Sequence, residues 1–151
     1  MEWDGMEFDF TREGGSMDLD INFLAVLLAA VAHQVLGFLW YGVLFRKTWL
    51  QAMGKSGEEA EMNEGADATM AIGALWSLAS ALGVALLLTL ADEPSVGDGI
   101  AVGAVCGIAF ATASTFTNGM YEQRKPVLSA LFSAYQTVGF AIMGAIIGAM
   151  Q

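Results

Sequence analysis

The sequence predicts an all-α integral membrane protein, a bundle of four transmembrane helices. Three observations predict it. Four apolar runs, about 21–45, 68–90, 98–118 and 127–150, are each long enough to cross a bilayer as a helix. Charged residues make up only 15% of the 151-residue chain and apolar residues 56%, whereas a soluble domain carries about 25% charged residues. The breaks between the runs collect the Gly, Pro and carboxylate residues that end helices and keep turns in water. The mean hydropathy of +0.55 agrees. A membrane barrel is excluded, because its strands are about ten residues long and alternate. These runs are continuously apolar, and in lipid a helix satisfies its own backbone.

Residues 1–20 form an acidic extramembrane segment, with seven carboxylates against the single Arg12. A secretory signal begins with basic residues, so this is not one. Its expected state is a disordered tail, with Trp3, Phe8 and Phe10 able to touch the membrane surface. Met17 is an alternative natural start. The transmembrane domain is 21–151. Its first run ends on Trp40 and Tyr41, followed by Arg46, Lys47 and Trp49. Aromatic and then basic side chains mark a membrane–water boundary. A polar connection follows over 50–68, with room for a short surface helix. The second run contains no charge, and Asp92 to Gly97 make a tight turn. The third run is short and glycine-rich. Pro126 suits the first turn of the fourth helix, where its missing N–H is no loss.

Five of the six basic residues fall in the connections after the first and third runs: Arg46, Lys47, Lys55, Arg124 and Lys125. The positive-inside rule puts those connections in the cytoplasm and both termini outside, in a multi-pass protein of the cell membrane. The net charge is −10, from 16 acids and 6 bases. No basic cluster exists to hold phosphates, so nucleic acid is not expected as a partner. An acidic, Lys-poor chain also fits a halophile, where salt screens like-charge repulsion.

Small residues let membrane helices approach closely. They recur here at four-residue spacing, which keeps them near one face. The stripes are Ala25, Ala29, His33 and Gly37; Gly73, Ser77, Ala81 and Ala85; Gly99, Gly103, Gly107 and Ala111; and the pair Gly144 and Gly148. They serve packing within the chain or the interface of a homo-oligomer.

Chemistry-bearing residues are few. His33 lies mid-helix beside Gln34, and an ionisable residue inside a membrane helix is a functional candidate. The competing role is a neutral histidine bonded across a helix interface. No Asp, Glu, Lys or Arg lies deep in a span, which counts against a proton-driven transporter. A looser polar set, Trp40, Tyr41, Thr115, Thr117, Asn118 and Tyr121, with Tyr135, Gln136 and Thr137, can line a cavity or supply interhelical hydrogen bonds. The single Cys106 reads as a small apolar residue, and one Cys and one His make no metal site. No phosphate loop, HExxH, CxxC or GxSxG occurs, so no catalytic residue, metal or cofactor is predicted.

Two stretches, FLWYGVLFRKTWL at 38–50 and FTNGMYEQRKPVL at 116–128, are weakly alike. They suggest two parallel-repeat helical hairpins. The segment 22–54, with Asn22, Gly37, Trp40, Tyr41, Phe45, Lys47 and Trp49, resembles the opening signature of the domain-of-unknown-function 1761 family. Asn118, the turn Arg124-Lys125-Pro126 and the closing MGAIIGAM resemble its final hairpin. The resemblance covers about 20–151 and implies a small prokaryotic four-helix membrane protein. It supplies no reaction or substrate.

Three functional classes follow. The first is a protein acting through helix association in the lipid, as a homo-oligomer or accessory subunit of another membrane protein. The second is a small-solute channel or transporter with its site among Trp40, Tyr41 and Asn118. A membrane-embedded enzyme ranks last.

Overall fold

The computed structural model describes residues 21–56, 66–91 and 93–151. The expectations for the acidic segment 1–20 and for most of the connection after residue 56 lie outside the described residues. Among the described residues the chain forms five helices and no strand. Helix α1 is Phe23–Leu44, α3 is Ala66–Leu88, α4 is Val96–Tyr121 and α5 is Pro126–Gly148. These four are long and apolar enough to cross a membrane. The fifth, α2, is the short Arg46–Met53.

Local chemistry explains the boundaries. Asn22 caps α1, its side-chain oxygen accepting from the backbone N–H groups of Leu24 and Ala25. An uncapped helix would leave those donors bare. Ser95 and Asp98 form a reciprocal capping box at the start of α4. Pro126 occupies the first turn of α5, the position that tolerates it. The short helix α2 ends on Gly54, whose φ of 70° is the left-handed conformation glycine adopts without strain. Helix α4 starts earlier and ends later than the run 98–118 suggests. The cap at Ser95 sets its start, and the polar Asn118-Gly-Met-Tyr sequence continues it.

Two spans are not regular α-helix throughout. Phe38–Leu44 of α1 and Cys106–Thr112 of α4 are π-helical. At the first, the Phe45 N–H reaches the Trp40 carbonyl, five residues back, at 2.8 Å. The two stretches read as a repeat do not share this feature. The first, from 38, is π-helical, whereas 116–121 is ordinary α-helix.

Helix α5 packs against α1, α3 and α4, and its closest neighbour is α4. The pairs run antiparallel. Asn22, the cap of α1, and His33 and Gly37 within it meet Met150, Gly139 and Tyr135 in reverse order. Likewise Gly99, Gly103 and Gly107 meet Gly144, Phe140 and Thr137. The start of α1 and the end of α5 therefore share one end of the bundle, tied by the Asn22 amide donating to the Met150 carbonyl at 2.8 Å. The basic residues 46, 47, 124 and 125 collect at the other end.

The α4–α5 contact is backbone on backbone. A Cβ at Gly99 would overlap the Gly144 carbonyl, and one at Gly144 would overlap the Gly99 carbonyl. A Cβ at Gly103 would overlap the Phe140 carbonyl, at Gly107 the Thr137 backbone, and at Gly148 the Ser95 carbonyl. Gly37 faces the Tyr135 hydroxyl, and Gly73 faces the Gln34 side chain.

Side chains sort into layers along the bundle. Near the start of α1 and the end of α5 lies an apolar core of Ala25, Ala29, Ala81, Val84, Ala85, Leu88, Met143 and Ile147. A polar layer follows at mid-depth. An aromatic layer of Trp40, Tyr41, Phe45, Trp49 and Phe132 closes the basic end.

Candidate functional site: a polar layer inside the bundle

His33 stands midway along the first span and is 8% exposed. The backbone explains how so polar a ring fits there. Its Cδ2–Nε2 edge lies directly on Gly139 of α5, where any Cβ would overlap the ring. From α3, Ser77 Oγ lies 2.9 Å from His33 Nδ1. From α5, the Tyr135 hydroxyl lies 3.3 Å from the same nitrogen and 3.3 Å from the His33 carbonyl oxygen. Ser77 also donates to Gln34 Oε1 at 3.3 Å, and Gln34 Nε2 donates to the Met70 carbonyl at 3.2 Å. Thus α1, α3 and α5 each contribute to one hydrogen-bonded group.

Gln136 stands beside the imidazole. Its Oε1 is buried without a hydrogen-bond partner, as are Ser133 Oγ and Trp40 Nε1. Ser133 and Gln136 are three residues apart, near one face of α5. The Trp40 ring centroid is 6.3 Å from that of Tyr135, and Tyr41's is 5.2 Å from it. Through Tyr135 the polar layer joins the aromatic layer of Trp40 and Tyr41. The π-helical turn gives Trp40 and Tyr41 their placement, since it shifts the helix phase beyond Gly37.

Of the residues singled out in the sequence, His33, Gln34, Trp40, Tyr41, Tyr135 and Gln136 are brought into this layer. Asn118 is not. It is exposed on α4 and bonds Ser114 Oγ at 3.4 Å. Tyr121 and Thr117 are exposed as well. The reason is helix phase: Gly119 is the α4 residue turned inward there, against Ser129, which leaves its neighbours outside. Sequence reasoning treated Ser77 only as a packing residue and passed over Gly139 and Ser133. Gly139 is one residue in a glycine-rich helix, so its partner ring was visible only in three dimensions. Thr112 and Thr137, 3.4 Å apart through their hydroxyls, link α4 to α5 nearby. Among the described residues, no cluster of three His, Cys, Asp or Glu side chains forms a metal site. Cys106 is half-buried and takes no part in the layer.

Four apolar spans around a polar interior layer define a polytopic helical membrane protein. The chain matches the family described as "Protein of unknown function (DUF1761)" over residues 24–148. It belongs to that family. No curated protein and no solved structure matches it. Within the matched range Gly37 admits Tyr135, and Trp40 and Tyr41 lie in the π-helical turn; just before it, Asn22 caps α1 and ties it to α5.

Proposed function

We propose that this protein is a small-solute channel or transporter whose site is the layer formed by His33, Trp40, Tyr41, Ser133, Tyr135 and Gln136. The observation that carries the reading is the set of three buried, unpartnered polar atoms, Trp40 Nε1, Ser133 Oγ and Gln136 Oε1. A buried polar atom left unsatisfied costs about 1–3 kcal/mol, and such atoms in a native protein call for water or a ligand. An indole N–H needs an acceptor, a carboxamide oxygen needs a donor, and a hydroxyl serves as either. The fitting guest is therefore small, neutral and both donor and acceptor. Asn118 is left out of this site because it faces away from it.

The test is solute flux in proteoliposomes. Vesicles containing the protein should swell faster than empty vesicles in urea or glycerol gradients. Ser133→Leu, which fills the layer, should remove the difference. Trp40→Phe, which keeps an aromatic ring and deletes the donor, should reduce it. Equal rates for protein-containing and empty vesicles would end this reading.

A second reading, action through association as a homo-oligomer or with another membrane subunit, has its own support. Only 17% of the apolar window of α4 is buried within the chain. An open apolar groove of about 420 Å³ runs between α1 and α3, lined by Leu27, Val31, Val35, Leu75 and Leu78. The α4 glycine face is already taken by α5, so association would use the outer apolar faces. Light scattering of the detergent-solubilised protein tests it, and a strictly monomeric particle would count against it. The basic end is proposed to face the cytoplasm and both termini the outside. The net charge of −10 supports a setting of high ionic strength.

A further inference from the structure

We infer that two copies of this chain pair in the lipid along a seam on α1, formed by Leu24, Leu27, Val31, Gln34 and Phe38, and that Gln34 bonds the same residue of the second copy across a two-fold axis. This deepens the second reading above, association as a homo-oligomer, and rests on it.

The seam is visible in spacing and in exposure together. Its five positions are 3, 4, 3 and 4 residues apart. That alternation keeps residues on one line between two gently supercoiled helices. The four apolar members are each more than half exposed, so the line faces out of the bundle. Gln34 stands within it, at mid-depth of the span Phe23–Leu44. Leu27, Val31 and Gln34 also line the open groove against α3, together with the small residues Ala30 and Ala74. Small side chains let a neighbouring helix come close.

Gln34 specifies the occupant. Its Oε1 accepts from Ser77 Oγ at 3.3 Å, and its Nε2 donates to the Met70 carbonyl at 3.2 Å. A carboxamide nitrogen carries two hydrogens and its oxygen two lone pairs. Each atom therefore keeps capacity for one more bond. No water reaches this depth of a bilayer to use it. An acyl chain offers no acceptor, and lipid headgroups begin roughly 15 Å from the midplane. The neighbour has to bring a donor and an acceptor to mid-depth. A second copy does this by symmetry alone. Copies inserted in one orientation hold Gln34 at equal depth, and a two-fold along the membrane normal sets the two carboxamides face to face. Each N–H then meets the other's oxygen. Charge agrees with this choice. The chain carries a net charge of −10, yet no seam or groove residue is ionisable. Two copies meet there without opposing carboxylates. A polar residue in an otherwise apolar seam also fixes the register of the pair. The contact continues inward, because Ser77 Oγ lies 2.9 Å from His33 Nδ1. Pairing therefore braces one wall of the polar layer.

Disulfide trapping tests the seam in the membranes of expressing cells, where all copies share one orientation. On a Cys106→Ala background, Leu27→Cys and Val31→Cys should each give a covalent dimer on oxidation. Ile108→Cys, on the exposed face of α4, should stay monomeric. Sedimentation in detergent reads the polar contact. Gln34→Leu should raise the dimer dissociation constant about tenfold, the effect of losing two interhelical hydrogen bonds. The trapping assay keeps Gln34, so it stands even where that variant does not fold. An unchanged dissociation constant in folded Gln34→Leu would overturn the inference. A dimer trapped at position 108 and not at 27 or 31 would also overturn it while leaving association intact. A strictly monomeric particle would remove both.

Discussion

Single residues carry more of this fold than their size suggests. Asn22 does two jobs with one carboxamide. Its oxygen caps α1, and its nitrogen holds the Met150 carbonyl at the far end of α5. Asn22→Ala should cost about 1–2 kcal/mol in thermal unfolding. Asn22→Asp keeps the cap and loses the donor, so it should fall between. Gly139 and His33 form a matched pair, since the ring occupies the space a side chain would need. Gly139→Ala should destabilise by about 1–3 kcal/mol through overpacking. In a His33→Ala background the same change should cost far less, and the double-mutant cycle reads that coupling directly. Equal costs in both backgrounds would mean the contact is not the source of the penalty. That His33 was worth attention could be read from its type and depth. That it rests on Gly139 could not, because the two are 106 positions apart and one of them has no side chain to signal a role.

At the scale of elements, the α4–α5 pair is defined by glycines. Close backbone approach replaces the hydrophobic drive that is missing between helices in lipid. Gly103→Leu or Gly107→Leu should therefore cost about 3 kcal/mol or more, because the obstruction is backbone and cannot rotate away. Thermal melts in detergent check this. An unchanged melt for both would remove the backbone-contact account. The spacing of these glycines was legible along the chain, since every fourth position stays near one face of a helix. The π-helical stretches were not legible. An i to i+5 bond leaves no compositional mark, and Phe38–Leu44 reads as ordinary apolar helix. Its consequence is large, because it sets where Trp40 and Tyr41 point. The same blindness to helix phase grouped Asn118 with them, when the inward residue at that level is Gly119.

Across the whole molecule, an up-and-down bundle places the start of α1 and the end of α5 together and the basic residues at the opposite end. Topology is testable on a Cys106→Ala background. Cysteine placed at Ser56 should be shielded from an impermeant reagent added outside intact cells, and cysteine placed at Glu93 should be labelled. The reverse pattern would invert the orientation. The sequence by itself determined the helical class, the four spans and the turns between them, because in lipid a continuous apolar run has one way to satisfy its backbone. It also marked the candidate residues by their rarity in such runs. Only the tertiary structure decided which of them meet. The layer that joins His33, Ser77, Tyr135 and Gln136 draws on three helices, and its membership depends on rotation about each helix axis. That rotation is set by glycine contacts and π-helical turns between distant segments, and a one-dimensional pattern does not encode it.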